Sequence, residues 1–142
     1  MSLYLDTSGL VKTLVNEPGS VELAAELGRH SAHFTARIAY TEVCAALARA
    51  ERLLRLTGAE RDSCIRVLVQ NWTHLERVAV DEDLVMRAGD LAVKFGLRGY
   101  DAVHLAAALE VRHVGSLMFA AWDRDLRAAA AASGLALFPA VV

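Results

Sequence analysis

The chain has 142 residues, of which 55% are hydrophobic and 23% charged. That length suits one domain spanning residues 1–142 with a buried core, and the composition excludes a disordered chain. With 15 Lys and Arg against 17 Asp and Glu, the formal net charge is −2; this excludes a diffuse cationic grip on nucleic acid and leaves a local patch or a metal ion for any such contact.

Leu3-Tyr4-Leu5 reads as a short strand, closed by the helix-opening residues Asp6-Thr7-Ser8-Gly9. Leu10, Val11, Leu14 and Val15 follow at helical spacing. Glu17-Pro18-Gly19-Ser20 is a turn, with Ser20 placed to cap a helix that carries Val21, Ala24 and Ala25. His33 to Ala36 is a second strand. A long helix from Arg37 bears the stripe Ala39, Val43, Leu47, Ala50 and Leu54, and Thr57-Gly58 ends it. Ile65, Leu68, Val69 and Trp72 mark a further helix. Leu75 to Val80 is a third strand, and the helix through Leu84, Ala88, Leu91 and Phe95 stops at Gly96.

Tyr100-Asp101 opens another helix, from Ala102 to about Arg112, whose middle is apolar on every side; such a helix is buried all round. Leu117 to Ala121 is a fourth strand, Asp123 to Ser133 an Ala-rich helix, and Leu135 to Phe138 a last strand. Strands alternating with helices predict an α/β domain with a mainly parallel sheet covered on both faces. Cys44 and Cys64 lack the spacing of a zinc site or a disulfide framework and read as small core residues. The chain opens without the basic and apolar regions of a signal peptide, and no apolar run is long enough for a bilayer span. The expectation is a cytoplasmic protein with no membrane contact.

Open α/β sheets bind ligands beyond the carboxyl ends of their strands. Asp6 directly follows the first strand, Asp123 follows the fourth with Asp125 two residues on, Asp101 opens the buried helix, and Glu42 lies in the first turns of the long helix. Each has a structural use by itself: Asp6 and Asp101 suit helix N-caps, Asp123 and Asp125 suit a helix dipole, and Glu42 suits a solvated helix face. Together they are more informative. Acids from four segments converging at one sheet edge repel one another, and a hard divalent cation such as Mg²⁺ compensates that charge. A site of this kind can hydrolyse phosphodiesters.

Leu5-Asp6-Thr7-Ser8-Gly9-Leu10-Val11-Lys12 resembles the opening motif of PIN domains, and Leu97-Arg98-Gly99-Tyr100-Asp101-Ala102-Val103-His104-Leu105-Ala106 resembles their third-acid motif. Glu42 within Ala39-Tyr40-Thr41-Glu42-Val43 is similar to the second acid, and Trp122-Asp123-Arg124-Asp125-Leu126 to the last. Size and motif style are most similar to VapC-like toxins. The resemblance implies a three-layer α/β/α fold and an endoribonuclease that uses Mg²⁺ or Mn²⁺, held inactive by a VapB-like antitoxin and assembled as a homodimer. It implies Asp6, Glu42, Asp101 and Asp123 as the catalytic acids, with Asp6, Asp101 and Asp123 on the metal, Glu42 and Asp125 as further ligands, and Ser8 steadying the first carboxylate or a metal water. The alternative is a degenerate module of the same fold that binds RNA or a partner without cutting.

One position departs from the pattern: Ala121 stands where family members often carry a Thr or Ser two residues before the last acid. His104, one turn after Asp101, reads as a hydrogen-bonded core histidine, with a proton shuttle as the alternative. Arg98 suits either a phosphate or a cleft acid. Arg49, Arg52 and Arg55 read as a solvated face, and Trp72 and Phe95 as core residues. A phosphorylated receiver domain also gathers acids at strand ends, but it needs a late-strand Lys that Leu135 to Pro139 lacks.

Overall fold

The computed structural model describes residues 1–112 and 116–142. In chain order the elements are β1 (Ser2–Leu5), α1 (Thr7–Leu14), α2 (Ser20–Leu27), β2 (Ala32–Ala36), α3 (Ala39–Arg52), α4 (Gly58–Trp72), β3 (Glu76–Val78), α5 (Glu82–Phe95), α6 (Gly99–Val111), β4 (Leu117–Ala120), α7 (Arg124–Ala132) and β5 (Ala136–Phe138). The strands form one sheet in the order β3-β2-β1-β4-β5, and every pairing is parallel. The chain builds outward from β1 to β3, then crosses back to place β4 on the other side of β1. The switch in strand order therefore lies between β1 and β4, where a parallel sheet opens a crevice at its carboxyl edge.

Side-chain alternation along β1 divides the core. Leu3 and Leu5 face a cluster with Leu10, Leu23, Val43, Leu47 and Leu68 from α1 to α4. Tyr4 faces the opposite cluster with Leu84, Leu105, Phe119 and Leu126, built on α5, α6 and α7. Two helical layers around one parallel sheet make the expected α/β/α arrangement. Helix α6 is buried from Leu105 to Ala108 as its composition demands. No described helix is long and apolar enough to cross a membrane.

Several local expectations shift. Ser20 does not cap α2: its Oγ accepts from Glu17 N and donates to Val15 O, fastening the turn instead. The cap position is Gly19, at φ 96°, and a Cβ there would stand 3.1 Å from the Trp122 indole nitrogen. Leu54 leaves the α3 stripe, since the helix ends at Arg52 and Leu54 takes φ 60° and points to solvent. Val69 is likewise exposed, because the buried face of α4 narrows to Leu68. Cys44 and Cys64 are half-buried against the α1–α4 side of the core. Trp72 and Phe95 are partly buried against the core as read, and Arg49, Arg52 and Arg55 are exposed.

Candidate functional site

A cleft of about 470 Å³ opens at the carboxyl edge of the sheet, lined by Asp6, Thr7, Ser8, Glu42, Asp101, Asp123 and their neighbours. Helix starts deliver most of its acids. Asp6 ends β1 and caps α1, with Oδ1 accepting from Gly9 N at 2.9 Å and from Ser8 Oγ at 2.6 Å. Asp123 caps α7, with Oδ1 accepting from Leu126 N at 2.9 Å. Glu42 lies in the first turn of α3. Asp101 is not a cap: α6 begins earlier, at Gly99 after Arg98, and Asp101 falls within its first turn. There its charge still suits the amino-terminal end of the helix dipole. Asp125 stands apart from the lining residues, with its side chain 69% exposed beside Arg124.

Asp6 and Glu42 share one design, in which one oxygen is tied by the protein, whereas Asp123 has both oxygens tied. Asp6 Oδ2 meets no donor among the described residues, while Oδ1 takes two. Glu42 Oε1 takes the Thr7 hydroxyl at 2.8 Å and lies 2.8 Å from His104 Nε2. Across the mouth, Arg98 reaches two acids, donating from Nε to Asp101 Oδ2 at 3.0 Å and from Nη2 to Asp123 Oδ2 at 3.3 Å. Of the two partners open to Arg98 from sequence, it takes the acids. The bond and charge of Asp101, with the charge of Asp123 behind them, hold the Arg98 guanidinium still more firmly protonated.

Burial sets the electrostatics of the deepest acid. Asp6 is 5% exposed, and this burial raises its carboxyl above the ordinary range, with the Asp101 charge adding to the rise. His104, Ser8 and Gly9 oppose the shift without cancelling it. Burial acts the same way on Glu42, but there the bonds and attraction of His104 and the Thr7 hydroxyl outweigh it and lower the carboxyl.

Three participants were not legible as such in the sequence. Tyr4 looked only like a core strand residue, yet its hydroxyl lies 2.9 Å from His104 Nδ1. Thr7 looked like a helix opener and is a donor to Glu42. Glu17 lines the far rim, tied at 3.0 Å to Lys12, whose ammonium stands 4.6 Å over the Trp122 ring. The i, i+2 phase of β1 was the one available signal for Tyr4, since it set the residue on the face opposite Leu3 and Leu5.

The structure shows what surrounds Ala121, the position that departs from the family pattern. Its side chain is fully buried in the core cluster on the α5–α7 side, and Asp123 is steadied by the Leu126 amide instead.

The donor set fits a hard divalent cation: it is carboxylate oxygen throughout, and one acid is buried with an oxygen free of protein donors. Among the described residues, however, no three His, Cys, Asp or Glu side chains already converge on one point. Two of the cleft acids, Asp101 and Asp123, are instead bridged by the guanidinium of Arg98.

A parallel three-layer sheet with an acidic crevice at its switch point places the chain among the α/β proteins whose chemistry sits at strand ends. Residues 3–132 match the PIN domain. Ribonuclease VapC49 of Mycobacterium tuberculosis strain H37Rv is 41% identical over 138 residues, covering 97% of this chain and 95% of that protein. Among solved structures, FitAcB from Neisseria gonorrhoeae superposes with a TM-score of 0.67 at 21% identity, covering 97% of both chains. VapBC2 from Rickettsia felis, bound to a DNA fragment from its promoter, gives a TM-score of 0.66 at 11% identity, covering 96% of this chain and 97% of that one. The chain belongs to the PIN-domain family, and within it to the VapC-like proteins.

Proposed function

We propose that this protein is an endoribonuclease that hydrolyses RNA phosphodiester bonds with a divalent cation, Mg²⁺ or Mn²⁺, and that it is the toxin half of a pair with a VapB-like antitoxin. The observation that carries the reading is the gathering of Asp6, Glu42, Asp101 and Asp123, from four separate segments, around one cleft at the carboxyl edge of the sheet. Kinship with a protein named Ribonuclease VapC49 supports the reaction and the substrate, and the likeness to the VapBC2 complex supports the kind of partner. A homodimer and a cytoplasmic location accompany the reading.

Asp6, Asp101 and Asp123 are the residues that would hold the cation, with Glu42 completing the acidic set and Asp125 at its outer edge. When bound, a divalent cation supplies charge neutralisation at the phosphate and activation of water for attack at phosphorus. The chain's own residues do the rest. Ser8 and the Gly9 amide orient Asp6, the Leu126 amide orients Asp123, and Thr7 with His104 orients Glu42. Arg98, 78% exposed at the mouth, presents a planar fork suited to a phosphate oxygen once the acids have another cation. Without such a cation the acids repel a polyanion, so the apo cleft is a poor RNA site.

The test is cleavage of a mixed cellular RNA pool by the purified protein with Mg²⁺, with Mn²⁺ and with chelator, beside Asp101→Asn. Cutting that needs the cation and disappears in the variant is the expected result. Absence of both cutting and calorimetric metal binding would replace this reading with a binding-only module.

A further inference from the structure

We propose that Tyr4, His104 and Thr7 form a buried positioning clamp that fixes Glu42 with one oxygen tied and the other offered to the cleft. The inference rests on the reading of Glu42 as part of the cation site, and goes beyond it by assigning the residues that act through Glu42. None of the three is taken as a ligand or a catalytic residue.

His104 occupies a demanding place. Its side chain is 1% exposed, in the buried middle of α6, where an imidazole must find partners for both ring nitrogens. It has them: Nδ1 lies 2.9 Å from the Tyr4 hydroxyl, and Nε2 lies 2.8 Å from Glu42 Oε1 and 3.1 Å from Thr7 Oγ1. A core histidine needing only satisfaction could use backbone carbonyls. This one ties Tyr4 of β1, Thr7 of α1 and Glu42 of α3 to α6 through its two ring nitrogens.

The donors can be ordered. Glu42 Oε1, as a carboxylate oxygen, can only accept, so its 2.8 Å contact with Nε2 places a ring proton there. A phenol ordinarily keeps its proton at neutral pH, and the Tyr4 hydroxyl, 2.9 Å away, donates to Nδ1. Thr7 gives its hydroxyl proton to the same oxygen at 2.8 Å. Glu42 Oε1 therefore takes two donors, and Oε2 takes none among the described residues. The Tyr4 ring is itself held, stacked on Phe119 with centroids 5.4 Å apart. A glutamate otherwise free in three torsions is thereby restricted on the side away from the cleft.

Groups that orient metal ligands are commonly worth about 10–100-fold in metal affinity, and that is the scale expected here. Calorimetric Mn²⁺ affinity and Tm are measured for the wild-type protein, His104→Leu, His104→Gln and Thr7→Val, each also combined with Glu42→Gln. His104→Leu and Thr7→Val are expected to bind Mn²⁺ about 10-fold or more weakly, and His104→Gln, which can return an N–H to Glu42, to recover part of that loss. In the Glu42→Gln background the same changes are expected to have no further effect on affinity. Should His104→Leu fail to fold, Thr7→Val on the cleft wall carries the comparison. Nitrogen NMR of the imidazole gives a readout independent of metal, with the proton expected on Nε2.

Unchanged affinity in the folded single variants, equal losses with and without Glu42, or a proton on Nδ1 would each overturn the clamp while leaving the nuclease reading intact. A wild-type protein that neither binds Mn²⁺ nor cuts RNA would overturn the nuclease reading, and the clamp with it.

Discussion

Arg98 and Asp123 are 25 positions apart in the chain, yet Arg98 Nη2 donates to Asp123 Oδ2 at 3.3 Å while its Nε holds Asp101. One guanidinium thus neutralises two of the acids that would hold a divalent cation, so metal loading is expected to compete with the Arg98 pairing. Arg98→Gln is therefore expected to bind Mn²⁺ more tightly, by roughly 3- to 10-fold for the removal of one screened neighbouring charge. The same variant should hold RNA less well, because a phosphate partner is lost. Calorimetry with Mn²⁺ alone separates the two effects; weaker metal binding in the variant would show that Arg98 supports the site and does not compete for it.

Asp101→Asn should fold and fail to cut. The Asp101 side chain is 19% exposed and its partner is Arg98, itself largely in solvent, so the exchange is expected to move Tm by no more than about 3 °C. Cleavage should fall by more than about 100-fold, since even groups that merely orient metal ligands are worth about 10–100-fold. A folded variant that retains activity would remove Asp101 from the reacting set.

Asp6 links the site to pH. Its folded carboxyl is raised, first by burial, so ionising it costs stability. That cost is absent below the unfolded value of about 3.9 and complete once pH has risen through the raised folded value. Asp6→Asn keeps a competent N-cap on α1 and discards the buried charge. In the absence of metal it is expected to melt above the wild-type protein at pH 7, with the gap closing as pH falls toward 4. Asp6→Ala should keep less of the gain, because a lost cap costs about 1 kcal/mol. A pH-independent difference between Asp6→Asn and wild type would contradict the raised carboxyl.

Ala121 offers a test of what the departure from the family pattern means. Its side chain is fully buried in the core, and Asp123 is already held by the Leu126 amide. Ala121→Thr is expected to destabilise by about 1–3 kcal/mol through overpacking and to leave Mn²⁺ affinity unchanged. A gain in affinity would mean that the hydroxyl can reach Asp123 after all.

The amino-acid sequence by itself determined the layers and the acids. Apolar runs bounded by helix-opening residues set out the alternation of strands and helices, because burial periodicity is a local property of the chain. The order of the four acids after those elements followed from the same alternation. Tertiary structure alone decided what each acid is tied to. Arg98 could equally have met a phosphate or an acid, and only the approach of the α7 start to the α6 start brought two carboxylates within its reach. Asp101 is not a cap because α6 begins at Gly99, earlier than the sequence pattern placed it. Tyr4, Thr7 and His104 share no sequence motif that marks them as one group. They meet around His104, beside Glu42, because β1, α1, α3 and α6 converge on a buried polar point, where every donor and acceptor must find its partner inside the protein.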